Sequence, residues 1–266
     1  MQLSQRILHY AAYLLLPGHC TIKNNHKIKE RNVIPCTLPA SLADAAVCRG
    51  SFHAVLGGEA GEAVFADFSA ALQKAQAEGR ILTASLFRYE NHLFFYAEGL
   101  NRPFTPQGLC PALDAALLPW PPALGEAAPR PWAAMQPYFY HDVPTTAADW
   151  QQGRCPQRRR GRIALLPPDS WCSYMEHHLR IVTEGLVEGD RWHLICVQEG
   201  VLFSYLEEPR TNVNIKHQPG AHSPELDAWI AADPESHFAR FTPEQKAHPD
   251  SGHNFVFLPR IAGTED

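Results

Sequence analysis

Two stretches, Leu93–Glu98 (LFFYAE) and Leu202–Glu207 (LFSYLE), resemble each other at a separation of 109 residues. Glu90 and Glu199 correspond at the same separation, and each begins a short polar turn between two runs rich in aromatic and aliphatic residues. Such runs around a two-residue turn are typical of a β-hairpin. Two similar hairpins at a fixed separation indicate that the chain contains an internal duplication.

The same order of elements surrounds each hairpin. In the first half we predict strand 52–56, helix 62–78, hairpin strands 81–89 and 92–98, a second helix at about 108–118 and a last strand 135–141. In the second half we predict strand 163–166, helix 170–186, hairpin strands 192–198 and 201–207, helix 223–231 and a closing strand 254–261. This β-α-β-β-α-β order is that of a ferredoxin-like unit, with both helices on one face of an antiparallel sheet. We therefore expect an α+β fold in which tandem ferredoxin-like units cover each other's apolar sheet faces as a pseudo-dimeric α/β barrel.

The corresponding domain organisation has four parts. Residues 1–48 are predicted to be an N-terminal extension, either disordered or produced by a start codon placed too far upstream. Residues 49–142 form the first, degenerate ferredoxin-like repeat, residues 143–161 a linker, and residues 162–266 the second repeat. The run Arg158–Arg160 falls in the predicted linker, where a solvated basic patch is favoured over a phosphate contact.

Composition limits the partners and the compartment. The chain has 266 residues, of which 45% are hydrophobic and 19% charged, as expected for a folded globular protein. A net charge of −5 gives no general attraction to nucleic acid or to anionic membranes, so neither is expected as a partner. The apolar run 7–16 is too short to span a bilayer. Seven cysteines without a C-x-x-C pair indicate reduced thiols in the cytoplasm. The duplication predicts an intramolecular pseudo-dimer, and a homodimer is left open.

The first helix of the second repeat carries the best candidate for chemistry. Within the stretch 168–186, Trp171, Tyr174, His178 and Ile181 recur at helical spacing and share one face. An imidazole titrates near neutrality and a phenol can donate or accept a proton, so Tyr174 and His178 could form a general acid–base pair. Packing with one hydrogen bond is the alternative for the same spacing. When the two repeats are aligned at the separation of 109 residues, Phe65 corresponds to Tyr174 and Ser69 to His178, so the first repeat lacks the pair.

At this point the second half resembles a known family, the L-rhamnose mutarotases, over about residues 160–262. The resemblance depends on a P-D-x-x-x-x-Y-x-x-x-H motif and on an aromatic final strand, here Pro168, Asp169, Tyr174, His178, Ile181, Glu184 and the segment 255–259. It implies a ferredoxin-like unit that pairs into an α/β barrel. It also implies cofactor-free interconversion of the α and β anomers of a sugar, L-rhamnose or a relative.

In that reaction one group protonates the ring oxygen while another removes the anomeric hydroxyl proton, and no metal is needed. The resemblance assigns these catalytic roles to Tyr174 and His178. Substrate-binding candidates are His193, His237, Phe238 and Trp229. The family's paired tryptophans are absent from the stretch 236–241, so the identity of the sugar is open.

Three other functions stay open. The same barrel architecture also hosts cofactor-free monooxygenases and isomerases, and it could serve as a non-catalytic sugar- or metabolite-binding module. A metal site is disfavoured, because His177, His178 and His193 do not form an H-x-x-x-H or H-E-x-x-H motif.

Overall fold

The computed structural model describes residues 38–184, 190–209, 223–246 and 254–264. These ranges contain ten β-strands: β1 (Val47–Val55), β2 (Ile81–Tyr89), β3 (His92–Leu100), β4 (Ala133–Ala134), β5 (Gln136–Tyr140), β6 (Arg158–Leu165), β7 (Leu194–Gln198), β8 (Val201–Glu208), β9 (Val256–Leu258) and β10 (Arg260–Gly263). They also contain five α-helices: α1 (Glu62–Ala77), α2 (Pro111–Ala115), α3 (Ala147–Gln151), α4 (Pro168–Glu184) and α5 (Pro224–Ala231). Short 3₁₀ helices span Ala40–Leu42, Pro234–His237 and Pro243–Gln245.

The strands form two antiparallel sheets of five strands each. The order is β10-β2-β3-β1-β4 in the first sheet and β5-β7-β8-β6-β9 in the second. In each sheet four strands come from one repeat, and the fifth is the end of the other repeat's last strand. The chain leaves the first sheet after β4 to enter the second as β5, and it leaves the second after β9 to enter the first as β10. The predicted domains are therefore interlocked, because each one completes the sheet of the other.

The strand pairing preserves the duplication in detail. Phe139 of β5 pairs with Ile195, while Ala262 of β10 pairs with Leu86, which lies 109 residues before Ile195. Both pairings contain an irregularity at the same place, just before Phe139 and just before Ala262. The separation inferred from the two hairpins thus also holds for the register of the exchanged strands.

The two sheets pack face to face through large aromatic side chains. Phe94 stacks on Phe203 with ring centroids 5.4 Å apart, and Tyr96 stacks on Tyr205 at 3.7 Å. These residues belong to one buried cluster that draws on both sheets. The expected sheet-to-sheet packing is present, but the predicted closed barrel is wrong, since the two sheets are open. β4 contributes only two residues to the edge of the first sheet. Pro259, between β9 and β10, has no N–H, so it cannot continue the backbone hydrogen bonding from one sheet into the other.

The helices cover the outer faces of the sheets. In α1 the buried residues Phe65, Phe68, Leu72 and Ala75 follow the apolar stripe that the sequence predicts. A second outer core lies beneath α4 and α5 on the second sheet. The short helix α2 replaces the longer one predicted at 108–118.

The predicted linker 143–161 is instead an ordered part of the core. It contains α3, in which Trp150 is fully buried, and it includes the first four residues of β6. Arg160 is also buried, so the solvated basic patch is wrong for that residue. The segment was predicted to be a linker because most of it is polar, although long-range packing buries Ala147 and Trp150 within it.

Arg154 in the same segment joins the two halves. Its guanidinium donates two hydrogen bonds to Glu98, at 2.7 and 3.0 Å, and two to Glu207, at 3.0 and 2.6 Å. The side chains of all three residues are at most 2% exposed. The hydroxyl groups of Tyr96 and Tyr205 donate to Glu98 and Glu207, respectively, at 2.6 Å. One cation therefore bridges two carboxylates that are equivalent in the duplication, and Arg159 lies 3.6 Å from one of them, Glu207.

The predicted N-terminal extension is shorter than 1–48. β1 begins at Val47, and Ala45 is already buried. The apolar run 7–16 and the rest of residues 1–37 lie outside the described residues. Within the described ranges, no helix is long and apolar enough to cross a membrane.

Candidate active site

The candidate helix α4 lies against the second sheet and presents part of its predicted face to it. Tyr174 is 2% exposed and Ile181 is 3% exposed, and both belong to the outer core of the second sheet. Trp171, predicted on the same face, is 41% exposed because it stands at the first turn, beyond the cover of the sheet. Arg180 and Glu176 form an ion pair on the exposed side. The helical spacing thus places Tyr174 and His178 over the sheet.

Four aromatic rings surround the imidazole of His178. Tyr174 lies 4.1 Å away between ring centroids, and Trp229 of α5 lies edge to face at 4.8 Å. Phe139 and Tyr138 of β5 complete the surroundings at 5.1 and 5.8 Å, also edge to face. The exchanged strand β5, which comes from the first repeat, therefore supplies half of this cage.

The hydrogen bond of His178 defines its tautomer. Nδ1 lies 2.9 Å from the carbonyl oxygen of Tyr174. A carbonyl oxygen can only accept, so Nδ1 carries the hydrogen and Nε2 keeps the lone pair of the neutral ring. Burial lowers the pKa of His178 to about 4, the hydrogen bond to Tyr174 opposes this shift, and the charges of neighbouring histidines add to it. At pH 7 the ring is therefore neutral, with Nε2 as a proton acceptor.

The other predicted site residues lie in the same cluster. Phe238 contacts the ring of Tyr174 at 5.0 Å, and His237 lies 6.0 Å from Tyr174 and 5.6 Å from Trp229. Nε2 of His237 is 3.2 Å from the hydroxyl of Ser173.

His193 stands at the far side of Phe139, at 6.2 Å between ring centroids. The structure thus brings together all six residues selected from the sequence, while their catalytic and binding roles stay predictions.

The geometry within the cluster differs from the one that mutarotation requires. An acid and a base that act on opposite sides of a pyranose must be separated by the width of the sugar. Tyr174 and His178 are instead in mutual contact, and Tyr174 is packed beneath Trp229 and Phe238. The i, i+4 spacing itself causes this, because it places two side chains side by side on one helix.

Three cluster members were missed in the sequence: Tyr138, Phe139 and His141. His141 contacts Phe139 at 4.8 Å and His193 at 6.1 Å. Their signal was the aromatic run at the end of the first repeat, which was interpreted as that repeat's own last strand. Only the exchange of strands brings the run to the second repeat.

The equivalent position in the first half confirms that it lacks this pair. Ser69 replaces His178, and its hydroxyl accepts a hydrogen bond from the N–H of Gly263 at 3.3 Å. Gly263 belongs to β10, just as two of the contacts of His178, Tyr138 and Phe139, belong to β5. Ala262 stands where the second half has Phe139, and Phe65 packs in the core in place of Tyr174. The layer between α1 and the first sheet therefore shares the architecture without these two ionisable groups.

Two buried imidazole atoms of the cluster are available for a polar ligand. Nδ1 of His177 and Nδ1 of His237 have no hydrogen-bond partner among the described residues. The ring of His177 lies 5.5 Å from Trp229 and 6.4 Å from His237. In the same described ranges, no group of three or more His, Cys, Asp or Glu side chains is placed to hold a metal ion. The cluster thus contains buried nitrogen atoms and aromatic faces.

A second histidine pair lies between the sheets. His53 is buried and stacked on Phe94 at 4.7 Å. Its Nδ1 is 2.7 Å from the side-chain oxygen of Gln198, and its Nε2 is 2.8 Å from Nδ1 of His92. In a neutral His53 ring that donates from Nδ1 to the amide oxygen, Nε2 accepts a hydrogen bond from Nδ1 of His92. Burial lowers the pKa of His53 to about 4, and burial also lowers that of His92. This pair connects the two repeats.

Comparison with models of protein families and with curated proteins finds no match. Similar solved structures include a "Putative monooxygenase" from Fusobacterium nucleatum subsp. nucleatum, with a TM-score of 0.39, 9% identity and coverage of 84% of this chain and 95% of that one. Another is a "putative monooxygenase" from Lactobacillus acidophilus, with a TM-score of 0.37, 6% identity and coverage of 82% and 96%. A third is an "anthrone oxidase-like protein", with a TM-score of 0.35, 7% identity and coverage of 83% and 92%. At these values the likeness carries no argument about the activity of this chain.

Proposed function

We propose that this protein is a cofactor-free monooxygenase in which Nε2 of His178 removes a proton from an aromatic substrate. The observation that carries the proposal is a neutral imidazole in contact with four aromatic rings. This was the alternative reaction class that the fold pattern left open.

The composition of the cluster supports an aromatic substrate over a sugar. A pyranose presents hydroxyl groups on all sides and needs several charged or amide partners. The described cluster contains aromatic rings and histidines, which suit a planar substrate with few polar groups. The buried Nδ1 atoms of His177 and His237 could bind its hydroxyl or carbonyl groups.

The reaction balances without an external reductant. The substrate would carry an activated CH₂ group, for example one that joins two aryl rings within a cyclic ketone. This group gives one proton to Nε2 and becomes a delocalised carbanion. The imidazolium then stabilises this anion, and the anion raises the pKa of the imidazole in return. The carbanion's electron pair forms a C–O bond to O₂, and loss of water leaves a carbonyl group. In sum, CH₂ and O₂ become C=O and H₂O.

L-rhamnose mutarotation stays a prediction of the sequence motif, and it can be tested beside the proposal. Oxygen uptake with anthrone, a tricyclic ketone with an activated CH₂ group, would be measured with an oxygen electrode. Exchange of the anomers of L-rhamnose would be measured by NMR on the same preparation. Each assay would use the native chain, His178→Gln and His92→Gln. The last is the matched control, because His92 is also a half-buried histidine of lowered pKa outside the cluster.

We expect oxygen uptake with the native chain and with His92→Gln, and a loss of about 10²-fold or more with His178→Gln, as for removal of a general base. In the native chain kcat/KM should be constant above about pH 5 and fall as the pH approaches 4, where His178 becomes protonated. Uptake that is unchanged in folded His178→Gln would overturn the proposal. So would anomer exchange that depends on His178 without any oxygen uptake, which would support the mutarotase prediction instead.

A further inference from the structure

His237 has one ring nitrogen that the protein leaves without a partner. This residue ends the 3₁₀ helix Pro234–His237, lies beside α4 and is 7% exposed. Its Nδ1 is buried and has no hydrogen-bond partner among the residues that the structure describes. Such atoms are rare in folded proteins, because burial removes their hydrogen bonds to water without replacing them. Nδ1 therefore marks a place where a bound molecule can supply the missing partner.

The other ring nitrogen of His237 is held by Ser173 of α4. Nε2 lies 3.2 Å from the hydroxyl oxygen of this serine. A hydroxyl group can donate to one nitrogen of a neutral imidazole, and the ring hydrogen is then on the other nitrogen. With Ser173 as the donor, Nδ1 of His237 carries a hydrogen that meets no acceptor within the described ranges. The ring then offers one buried N–H to a ligand.

Two aromatic rings connect His237 with the proposed base. Trp229 lies 5.6 Å from His237 and 4.8 Å from His178 between ring centroids. The corresponding distances from Tyr174 are 6.0 and 4.1 Å. Burial lowers the pKa of His178, and the charge of His237 lowers it further, as expected for neighbouring imidazoles. A planar molecule that reaches Nε2 of His178 therefore also comes near His237.

The duplication shows that the scaffold does not need polar atoms on this part of the helix. When the repeats are aligned at the separation of 109 residues, Val64 corresponds to Ser173 and Phe68 to His177. Val64 packs against the outer core of the first sheet, and Phe68 is buried within that core. Apolar side chains thus serve the fold at both positions of α1. The hydroxyl of Ser173 and the imidazole of His177 are therefore features of the second repeat alone.

We propose that Nδ1–H of His237 donates a hydrogen bond to the carbonyl oxygen of the substrate, and that Ser173 positions this hydrogen. The assignment rests on the proposed function and narrows its substrates to ketones in which the carbonyl group is conjugated with the reacting CH₂ group. When His178 removes the proton, the C–H bond breaks and its electron pair is shared between the carbon and that oxygen. A donor already in place at the oxygen binds this anion more tightly than the ketone, so it stabilises the transition state.

The test is calorimetric titration of the full chain with 1-tetralone and with tetralin, which has the same bicyclic skeleton without the oxygen. Buffer free of oxygen restricts the measurement to binding. His237→Asn and His237→Leu are the matched pair, because the two new side chains are similar in size and only asparagine keeps a side-chain N–H. Circular dichroism establishes that each variant is folded.

Three further variants test the assignment to His237 and the role of Ser173. His177→Leu removes the other buried Nδ1 without a described partner, in a residue that is less buried than His237. Ser173→Ala removes the hydroxyl group that positions His237, while Ser173→Thr keeps a hydroxyl group at this exposed residue.

We expect the native chain and His237→Asn to bind 1-tetralone about tenfold more tightly than tetralin, as for one hydrogen bond to a buried donor. This preference should disappear in His237→Leu and remain in His177→Leu. It should fall about threefold in Ser173→Ala and be restored in Ser173→Thr. The proposal is overturned if the native chain has no preference for the ketone, if His237→Asn and His237→Leu have the same preference, or if His177→Leu abolishes it instead.

Oxygen uptake with anthrone separates this proposal from the proposed function. His237→Leu should have a kcat about tenfold lower than that of His237→Asn, with a smaller change in KM, because the charge on the oxygen develops in the transition state. Equal kcat values for the two variants would refute the role of His237 and leave His178 as the base. A ketone preference that depends on His237, without any oxygen uptake, would refute the proposed function alone.

Discussion

Replacement of Arg154 by methionine tests whether one buried cation holds the two repeats together. Arg154 makes four charge-assisted hydrogen bonds to Glu98 and Glu207. A hydrogen bond to a charged group contributes about 1.5–3 kcal/mol to stability. The sum over four such bonds would overestimate the loss in the free energy of unfolding, because replacing Arg154 also removes the cost of burying its own charge. Measured losses of one partner from a buried ion pair are about 3–5 kcal/mol, and this is the expected loss in the free energy of unfolding.

The pH dependence of Arg154→Met should also be reversed. In the native protein burial would raise the pKa of Glu98, but the charge and hydrogen bonds of Arg154 outweigh it and leave the pKa lowered. Its stabilising contribution is then present above the unfolded-state pKa and is lost as the pH falls through the folded-state pKa. Without Arg154, burial raises the pKa, so stability is retained at low pH and lost as the pH rises.

Urea denaturation at pH 5 and pH 8 measures both effects through the unfolding midpoint and slope. Arg80→Met, which removes an exposed ion pair to Glu78, should cost no more than about 1 kcal/mol. Adding Glu98→Gln to Arg154→Met should restore part of the loss, because Glu98 is then no longer a buried charge without its partner, while Glu207 keeps Arg159 at 3.6 Å. The reasoning is refuted if Arg154→Met stays within about 1 kcal/mol of the native chain at both pH values.

Two further predictions concern the interface between the sheets. The pKa of His53 is lowered from 6.5 to about 4 in the folded protein. The contribution of neutral His53 to stability is therefore complete above pH 6.5 and is lost as the pH falls from 6.5 to 4. This shift corresponds to about 3 kcal/mol in the free energy of unfolding. Urea unfolding across that range should therefore show a shallower loss for His53→Gln than for the native chain, and parallel curves would contradict this. In Gly161→Ala the new Cβ would lie 2.6 Å from the ring of Phe87, so a loss of about 1–3 kcal/mol is expected in the same assay. Gly58→Ala is the control, as it has open space around it, and equal effects of the two substitutions would show that the contact is not the cause.

Much of the local structure could be predicted because its causes are local. The stripe of Phe65, Phe68 and Leu72 has helical spacing, and the turns at Glu90 and Glu199 lie between β-rich runs. In the structure both turn residues have positive φ angles, 52° and 50°, as the tight reversal requires. The cluster around His178 could be chosen in part for the same reason, since Tyr174 and His178 are on one turn of one helix.

The partners of that cluster could not be predicted in the same way. Phe139 and Tyr138 reach His178 only because β5 leaves the sheet of its own repeat. The apolar pattern of a strand specifies which side chains share a face, but not which of two equivalent sheet edges the strand joins. The spacing of Tyr174 and His178 predicts that they share one face of a helix, but it left open whether they act as an acid–base pair or pack against each other, and the structure shows their rings in contact.

The sequence by itself determined the duplication, the order of the elements and the helix that carries Tyr174 and His178. These are periodic or repeated features, so they can be recognised within short stretches of chain. Only the tertiary structure decided that the last strands are exchanged and that Arg154 bridges Glu98 and Glu207. The physical reason is that burial and long-range pairing depend on the competition between distant segments. Arg154, for example, meets Glu207 and Glu98 across 53 and 56 positions of the chain.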